Sequence, residues 1–253
     1  MNFFLKNIPT REAKPRKHGL TSVMDLGLDL DEAKRLVKTV GKHIDIIKLG
    51  MGIAYTTPNL KKKIKIYQKY DIKVHFGGTI FEAFIARNQF DDFVKLIKTY
   101  KLNCVEVANG IMEINHAEKC DYIKKLSKIT KVISEVGSKQ ETEEINFKIW
   151  INLIKKELEA GAWKVTTEGR YYGDIGIYNK DGSVRKNLIK QITKKISQDK
   201  IIWEAPKDKQ QAWFISELGC DVNLGNIDPK DVLSLETMRL GLRADTFWSN
   251  LKK

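Results

Sequence analysis

Cysteine is scarce in this chain, and the few present do not pair. Cys104, Cys120 and Cys220 are scattered, odd in number and form no C-x-x-C. Such a set argues against a disulfide framework and against a zinc finger or ribbon. It fits a reducing cytosol, the compartment expected here. Proline is equally sparse, and no Pro-rich or Gly/Ser-rich stretch divides the chain. All 253 residues are therefore expected to form one domain, with residues 1–19 as an N-terminal extension. No apolar run approaches the ~20 residues of a membrane span, so no membrane association is expected. The opening MNFFLKNIPTREAKPRKHG lacks an apolar core and a small-residue cleavage site, and is not expected to act as a signal peptide. Histidine is rare as well: His18, His43, His75 and His116 make no H-x-H or H-x-x-x-H pair. There is no G-x-S-x-G elbow and no P-loop, which removes the usual parts of a hydrolase or a kinase.

Positive charge, by contrast, is plentiful, with a formal net charge of +13. Nucleic acid is the first partner such a chain brings to mind. The lysines, however, run along nearly every helix-like stretch, as in KKKIKIYQKY and KKISQDK. They are not gathered with interleaved aromatics, as a nucleic-acid groove requires. No nucleic-acid partner is expected. Solvated helix faces account for the excess, and a positive field suits a small anionic substrate.

The hydrophobic fraction of 42 % is ordinary, and a chain of this length can bury a sizeable core. Short β-rich runs are expected at 20–25, 44–49, 72–76, 104–107, 131–136, 163–167, 200–203 and 221–224. Most are almost wholly apolar rather than alternating, as parallel strands covered on both faces are. Helical periods fill the gaps, at 29–40, 58–70, 81–100, 116–129, 146–158, 185–196, 209–218 and 231–240. In the first, Asp29 caps the start and Ala33, Leu36, Val37 and Val40 share a face. Eight strand-then-helix units predict an α/β fold, a (β/α)8 TIM barrel. A doubly wound open sheet usually needs fewer strands, and no G-x-G-x-x-G follows the first one.

In a parallel barrel the C-terminal strand ends share one rim. Here those ends repeat a theme of charge or amide followed by glycine. They read Asp25-Leu26-Gly27, Lys48-Leu49-Gly50, Gly77-Gly78-Thr79 with Glu82 beyond, and Glu106-Val107-Ala108-Asn109-Gly110. They continue with Glu135-Val136-Gly137-Ser138-Lys139, Glu168-Gly169-Arg170, Glu204-Ala205-Pro206-Lys207 and Asn223-Leu224-Gly225-Asn226. Lys48, Lys139, Arg170 and Lys207 suit phosphate or carboxylate, which Arg grips bidentately. The surplus acids, Asp25, Glu106, Glu135 and Glu204 among them, suit a hard cation such as Mg²⁺. Gly77, Gly78 and Thr79, and Gly225 with Asn226 after strand eight, are candidate phosphate cradles. Asn109 is a further candidate for substrate binding. His75, inside strand three, is expected in the core or the layer behind the rim.

Taken in order, these strand ends resemble the phosphosulfolactate synthase family, to which a plant heat-stress protein group is also related. The resemblance runs through Lys14-Pro15-Arg16, Asp45-Ile46-Ile47-Lys48-Leu49-Gly50 and Gly77-Gly78-Thr79-Ile80-Phe81-Glu82, and on to the stretch from Leu235 to Thr246. It implies a barrel enzyme, usually a homo-oligomer, that adds sulfite to phosphoenolpyruvate with Mg²⁺ to give phosphosulfolactate. That product is a precursor of coenzyme M in methanogens and of sulfolactate in some bacteria. It further implies that Lys139 stands where the family's proposed general acid stands. Two rim stretches depart from the family's pattern. Met51, Ile53 and Ala54 replace a Trp and two hydroxyls, and Tyr171-Tyr172 replaces Glu-Ser. Two alternatives follow: a family enzyme that uses a different nucleophile, and a stress-associated barrel without catalysis.

Overall fold

The computed structural model describes residues 3–112, 114–137, 146–169 and 172–248. Eight strands form one parallel sheet: β1 (Thr21–Met24), β2 (Ile46–Lys48), β3 (Lys73–His75), β4 (Cys104–Val107), β5 (Lys131–Val136), β6 (Lys164–Thr167), β7 (Ile201–Glu204) and β8 (Leu224–Ile227). The ladder runs β3-β2-β1-β8-β7-β6-β5-β4. The two end strands meet where the Val74 amide donates to Asn103 Oδ1, at 3.0 Å. Such an order, with the strands paired in parallel along it, is a (β/α)8 barrel.

Helices surround it: α1 (Leu30–Val40), α2 (Ile53–Thr56), α3 (Leu60–Gln68), α4 (Gly78–Ile85), α5 (Phe90–Tyr100), α6 (His116–Ser127), α7 (Phe147–Glu159), α8 (Lys186–Thr193), α9 (Asp208–Leu218) and α10 (Val232–Arg239). Asp29 caps α1 in a full capping box with Glu32. Its face of Ala33, Val37 and Val40 is buried in the main apolar core.

Two expectations need correction. The helical period expected over 81–100 is two helices. Asn88 sits in the left-handed region (φ 56°) and stops the first. Asp91 and Asp92 then favour a fresh N-terminus for α5. Strand eight begins three residues later than expected, because Asn223 works as a side-chain clamp. Its Oδ1 accepts from Leu20 N (2.9 Å) and its Nδ2 donates to the Ile201 carbonyl (2.9 Å). Gly225 and Asn226 therefore lie within β8, where the register against β1 slips. Asn226 has φ 56° at this irregularity.

Alternation along the strands stacks the barrel interior in layers. Lys131, Ile133 and Glu135 share one face of β5, and Lys164 and Thr166 continue into Glu168 on β6. Leu20, Ile46, Cys104, Ile133 and Ile202 form the apolar layer, with Trp163 packed against it. Acids thus gather at one mouth and lysines at the other.

Candidate active site

Lys48 closes β2, and its ammonium stands at the centre of the C-terminal mouth. It lies 3.2 Å from Glu106 Oε1, 3.3 Å from Glu204 Oε1 and 3.5 Å from Glu135 Oε2. Those carboxylates come from β4, β7 and β5, so three separate strands aim acids at one cation. Two of them have their second oxygen fixed by a backbone N–H. Gly78 N donates to Glu106 Oε2 (2.6 Å) and Gly169 N to Glu204 Oε2 (2.8 Å). Here the repeated glycines have a physical reason. A Cβ on Gly78 would stand 2.3 Å from Ala108 Cβ, and one on Gly169 2.7 Å from the Tyr178 ring. Only glycine lets the backbone come close enough to donate.

Burial alone would lower the Lys48 pKa. Glu106, Glu204, Glu135 and Glu168 together outweigh burial and hold it well above the ordinary lysine value. Lys48 is a fixed positive charge at neutral pH. Burial raises the Glu204 carboxyl, and Glu135 and Glu106 add to this, against the pull of Lys48 and the Gly169 amide. Burial, with Lys48 nearby, depresses His75 to about 3, so its ring is neutral. Its Nδ1 accepts from Gly77 N at 3.3 Å.

Lys48, Glu106, Glu135, Glu168 and Glu204 line a cavity of about 240 Å³. That is below the roughly 300–1,000 Å³ of drug-sized pockets and suits a small metabolite. Gly77, Gly78, Thr79 and Asn226 contribute polar edges, while Met24, Met51 and Tyr172 form an apolar side. Beneath it the packing leaves only about 10 Å³ among Ser22, His75, Thr166 and Gly225.

The structure thus brings Lys48, Glu106, Glu135, Glu204, Gly77, Gly78, Thr79 and Asn226 together, along with Glu168. It places other candidates elsewhere. Asp25 does not fit a metal ligand: Oδ2 takes Lys63 Nζ and Tyr67 OH, both at 2.7 Å, and Oδ1 takes the Gly27 and Leu28 amides at 2.9 Å. Glu82 is spent on the loop after β4, accepting from Ile111 N and Met112 N. Lys207 is exposed at the start of α9, and Asn109 is half-buried; neither lines the cavity. Gly225 lies in the layer below rather than in a phosphate loop, because strand eight starts late. Lys139 and Arg170, like Tyr171, lie outside the described residues.

One supporting group went unforeseen. Buried Lys119, on α6, donates to the backbone carbonyl of Glu135 (2.5 Å) and pairs with Glu157 Oε1 (2.8 Å). It therefore braces β5 at the residue that faces Lys48. A signal was available: Lys119 shares the core-facing stripe of α6 with Ile123 and Leu126, where a lysine needs a buried partner.

Among the described residues, no three His, Cys, Asp or Glu side chains stand close enough to hold a metal ion. Mg²⁺ does not require such a cluster. It is commonly held by one or two carboxylates, waters and substrate oxygens. The carboxylates around Lys48 supply donors of that type.

A parallel barrel with an ammonium and converging carboxylates in a small pocket at its C-terminal mouth defines a (β/α)8 enzyme. Residues 9–245 match the (2R)-phospho-3-sulfolactate synthase (ComA) family, and the chain belongs to that family. It is 36 % identical to a phosphosulfolactate synthase of Methanothermobacter thermautotrophicus, over 97 % of this chain and 98 % of the relative. It is likewise 36 % identical to a phosphosulfolactate synthase of Bacillus subtilis, over 98 % and 100 %. Among solved structures, 3-hexulose-6-phosphate synthase from Salmonella typhimurium shares the fold, with a TM-score of 0.51 at 16 % identity over 91 % of this chain and 98 % of that one. Among the described residues, no helix is long and apolar enough to cross a membrane.

Proposed function

We propose that this enzyme adds sulfite to phosphoenolpyruvate, with Mg²⁺, to form phosphosulfolactate, and that it works as a homo-oligomer. The observation that carries the reading is Lys48 clasped by Glu106, Glu135 and Glu204 in a small pocket at the C-terminal mouth, in a chain of this family.

The sulfur lone pair of sulfite forms a bond to the methylene carbon of phosphoenolpyruvate. The C=C electron pair moves into the carboxylate, giving an enediolate. A proton then reaches the adjacent carbon and the carboxylate re-forms; the phosphate ester is not broken. Lys48, charged throughout, serves as a fixed electrostatic partner for the enediolate rather than as a proton donor. Lys139 is our general acid, on the family resemblance, and Arg170 the group that grips phosphate or carboxylate. Gly77, Gly78 and Thr79 open α4, whose N-terminal dipole suits a phosphate, with the Gly77 and Gly78 amides already given to His75 and Glu106. When bound, Mg²⁺ would neutralise substrate oxygens that the carboxylate-rich floor would otherwise repel. One or two of Glu106, Glu135 and Glu204 would hold it, with substrate oxygens and water completing its shell.

Incubation with phosphoenolpyruvate, sulfite and Mg²⁺, followed by mass spectrometry, tests the reading. The expected product carries the summed mass of both substrates. Saturable phosphoenolpyruvate binding without that adduct would overturn sulfite as the nucleophile and point to another acceptor beside Met51 and Tyr172.

A further inference from the structure

The opposite mouth of the barrel carries a feature the reaction does not use. Lys73, Lys131 and Lys164 are the first residues of β3, β5 and β6. Their ammonium groups stand 5.3, 4.5 and 5.4 Å from the centre of one ring, that of Trp163. Trp163 itself seals the apolar layer of Leu20, Ile46, Cys104, Ile133 and Ile202. Among the described residues, none of the three lysines has a carboxylate within ion-pair distance. The nearby acids are engaged elsewhere: Asp45 with Arg16, and Asp199 with Lys200. Lys164 donates instead to the backbone carbonyls of Lys17 and Asp199.

A single indole face offers modest attraction to each cation. It does not cancel the repulsion of three like charges set around it. That repulsion is visible in the lysines themselves. Burial and then Lys73 lower Lys131, while burial brings Lys164 down to about 8 against the pull of Asp199, with Lys200, Lys131 and Lys73 adding to the fall. Lys14 is likewise down to about 8, chiefly from burial, and Lys73 contributes. Cations outnumbering the acids near them, with no carboxylate among the described residues in direct contact with Lys73, Lys131 or Lys164, on a rigid floor made of strand starts, are complementary to an anion with several oxygens. We propose that this floor binds a small multivalent oxyanion of the phosphate class, held by Lys73 and Lys131 beside Trp163. The site is separate from the pocket around Lys48 and does not depend on the reaction proposed there.

The test uses the full-length protein and pyrophosphate as the probe. The Trp163 indole N–H is followed by NMR and assigned with Trp163→Phe. Chloride at matched ionic strength is the control. The expected result is a saturable shift of the Trp163 signal with pyrophosphate that is lost in Lys73→Met/Lys131→Met. Turnover at the other mouth should be unchanged in that variant. If the double variant does not fold, Lys131→Gln alone, at an exposed side chain, should weaken binding severalfold. No saturable shift, an equal shift with chloride, or an undiminished shift in the lysine variants would overturn the proposal. The last two outcomes would leave the lysines as a cation–π closure of the barrel floor.

Discussion

His75 illustrates how the site sets the protonation of its own neighbours. It lies behind Lys48 and Glu106, buried, with a pKa of about 3 against an ordinary 6.5. In the window between those values the unfolded chain binds a proton that the folded chain refuses. Stability from this residue is fully present above the higher value and is lost as pH falls through the window, at up to ~1.4 kcal/mol per pH unit. His75→Asn keeps an acceptor for the Gly77 amide but removes the titration. Denaturant unfolding across that window should show a shallower acid-side loss in the variant than in the wild type. Parallel curves would mean that His75 is not held neutral by burial. Asp25 carries a second lesson at this scale. It belongs by sequence to the same series of strand-end acids as Glu106 and Glu204. A residue type and a strand end do not say which way a carboxylate turns, and here Lys63 and Tyr67, one helical turn apart on α3, draw it outward.

At the scale of elements, the close packing of α4 on β4 decides the pocket's geometry. Gly78→Ala would put a methyl into Ala108, displace the start of α4 and weaken the amide bond to Glu106. A loss of about 2 kcal/mol is expected, with a fall in turnover. Adding Ala108→Gly should restore part of both, which a double-mutant cycle would register as coupling. Additive losses would exclude the contact as the cause. This scale also marks what was legible in the sequence. Strands such as 104–107 and 131–136 declared themselves as apolar runs, and seven of the eight strand positions could be read from such runs, five of them closed by an acid. Strand eight was misplaced because Asn223, polar and mid-run, serves as a clamp between β1 and β7. Nothing local distinguishes such an amide from one lining a pocket. The 81–100 helix hid its break because Asn88 interrupts the period only through its backbone conformation. Lys119 was missed for a similar reason: its partner, Glu157, is far away in sequence and meets it only once α6 and α7 pack.

The whole molecule is electrically divided, with carboxylates at the mouth that holds Lys48 and lysines at the floor around Trp163. Around both lies a chain of net charge +13. Such a field draws anionic substrates in from solution, and salt screens it. At fixed Mg²⁺, kcat/KM for phosphoenolpyruvate should fall severalfold as ionic strength rises, while kcat at saturation holds steady. A kcat/KM indifferent to salt would show that the surface charge does not steer. Lys48 and its ring of glutamates are the proposed reacting centre, and one substitution probes that directly. Lys48→Met keeps the length of the side chain and removes the charge. The measurement is product formation from phosphoenolpyruvate and sulfite by the purified variant, with circular dichroism to establish that it is folded. Turnover should drop by about 10²-fold or more, as loss of a preorganised charge at a reacting centre does. A folded Lys48→Met variant that turns over at close to the wild-type rate would contradict the account.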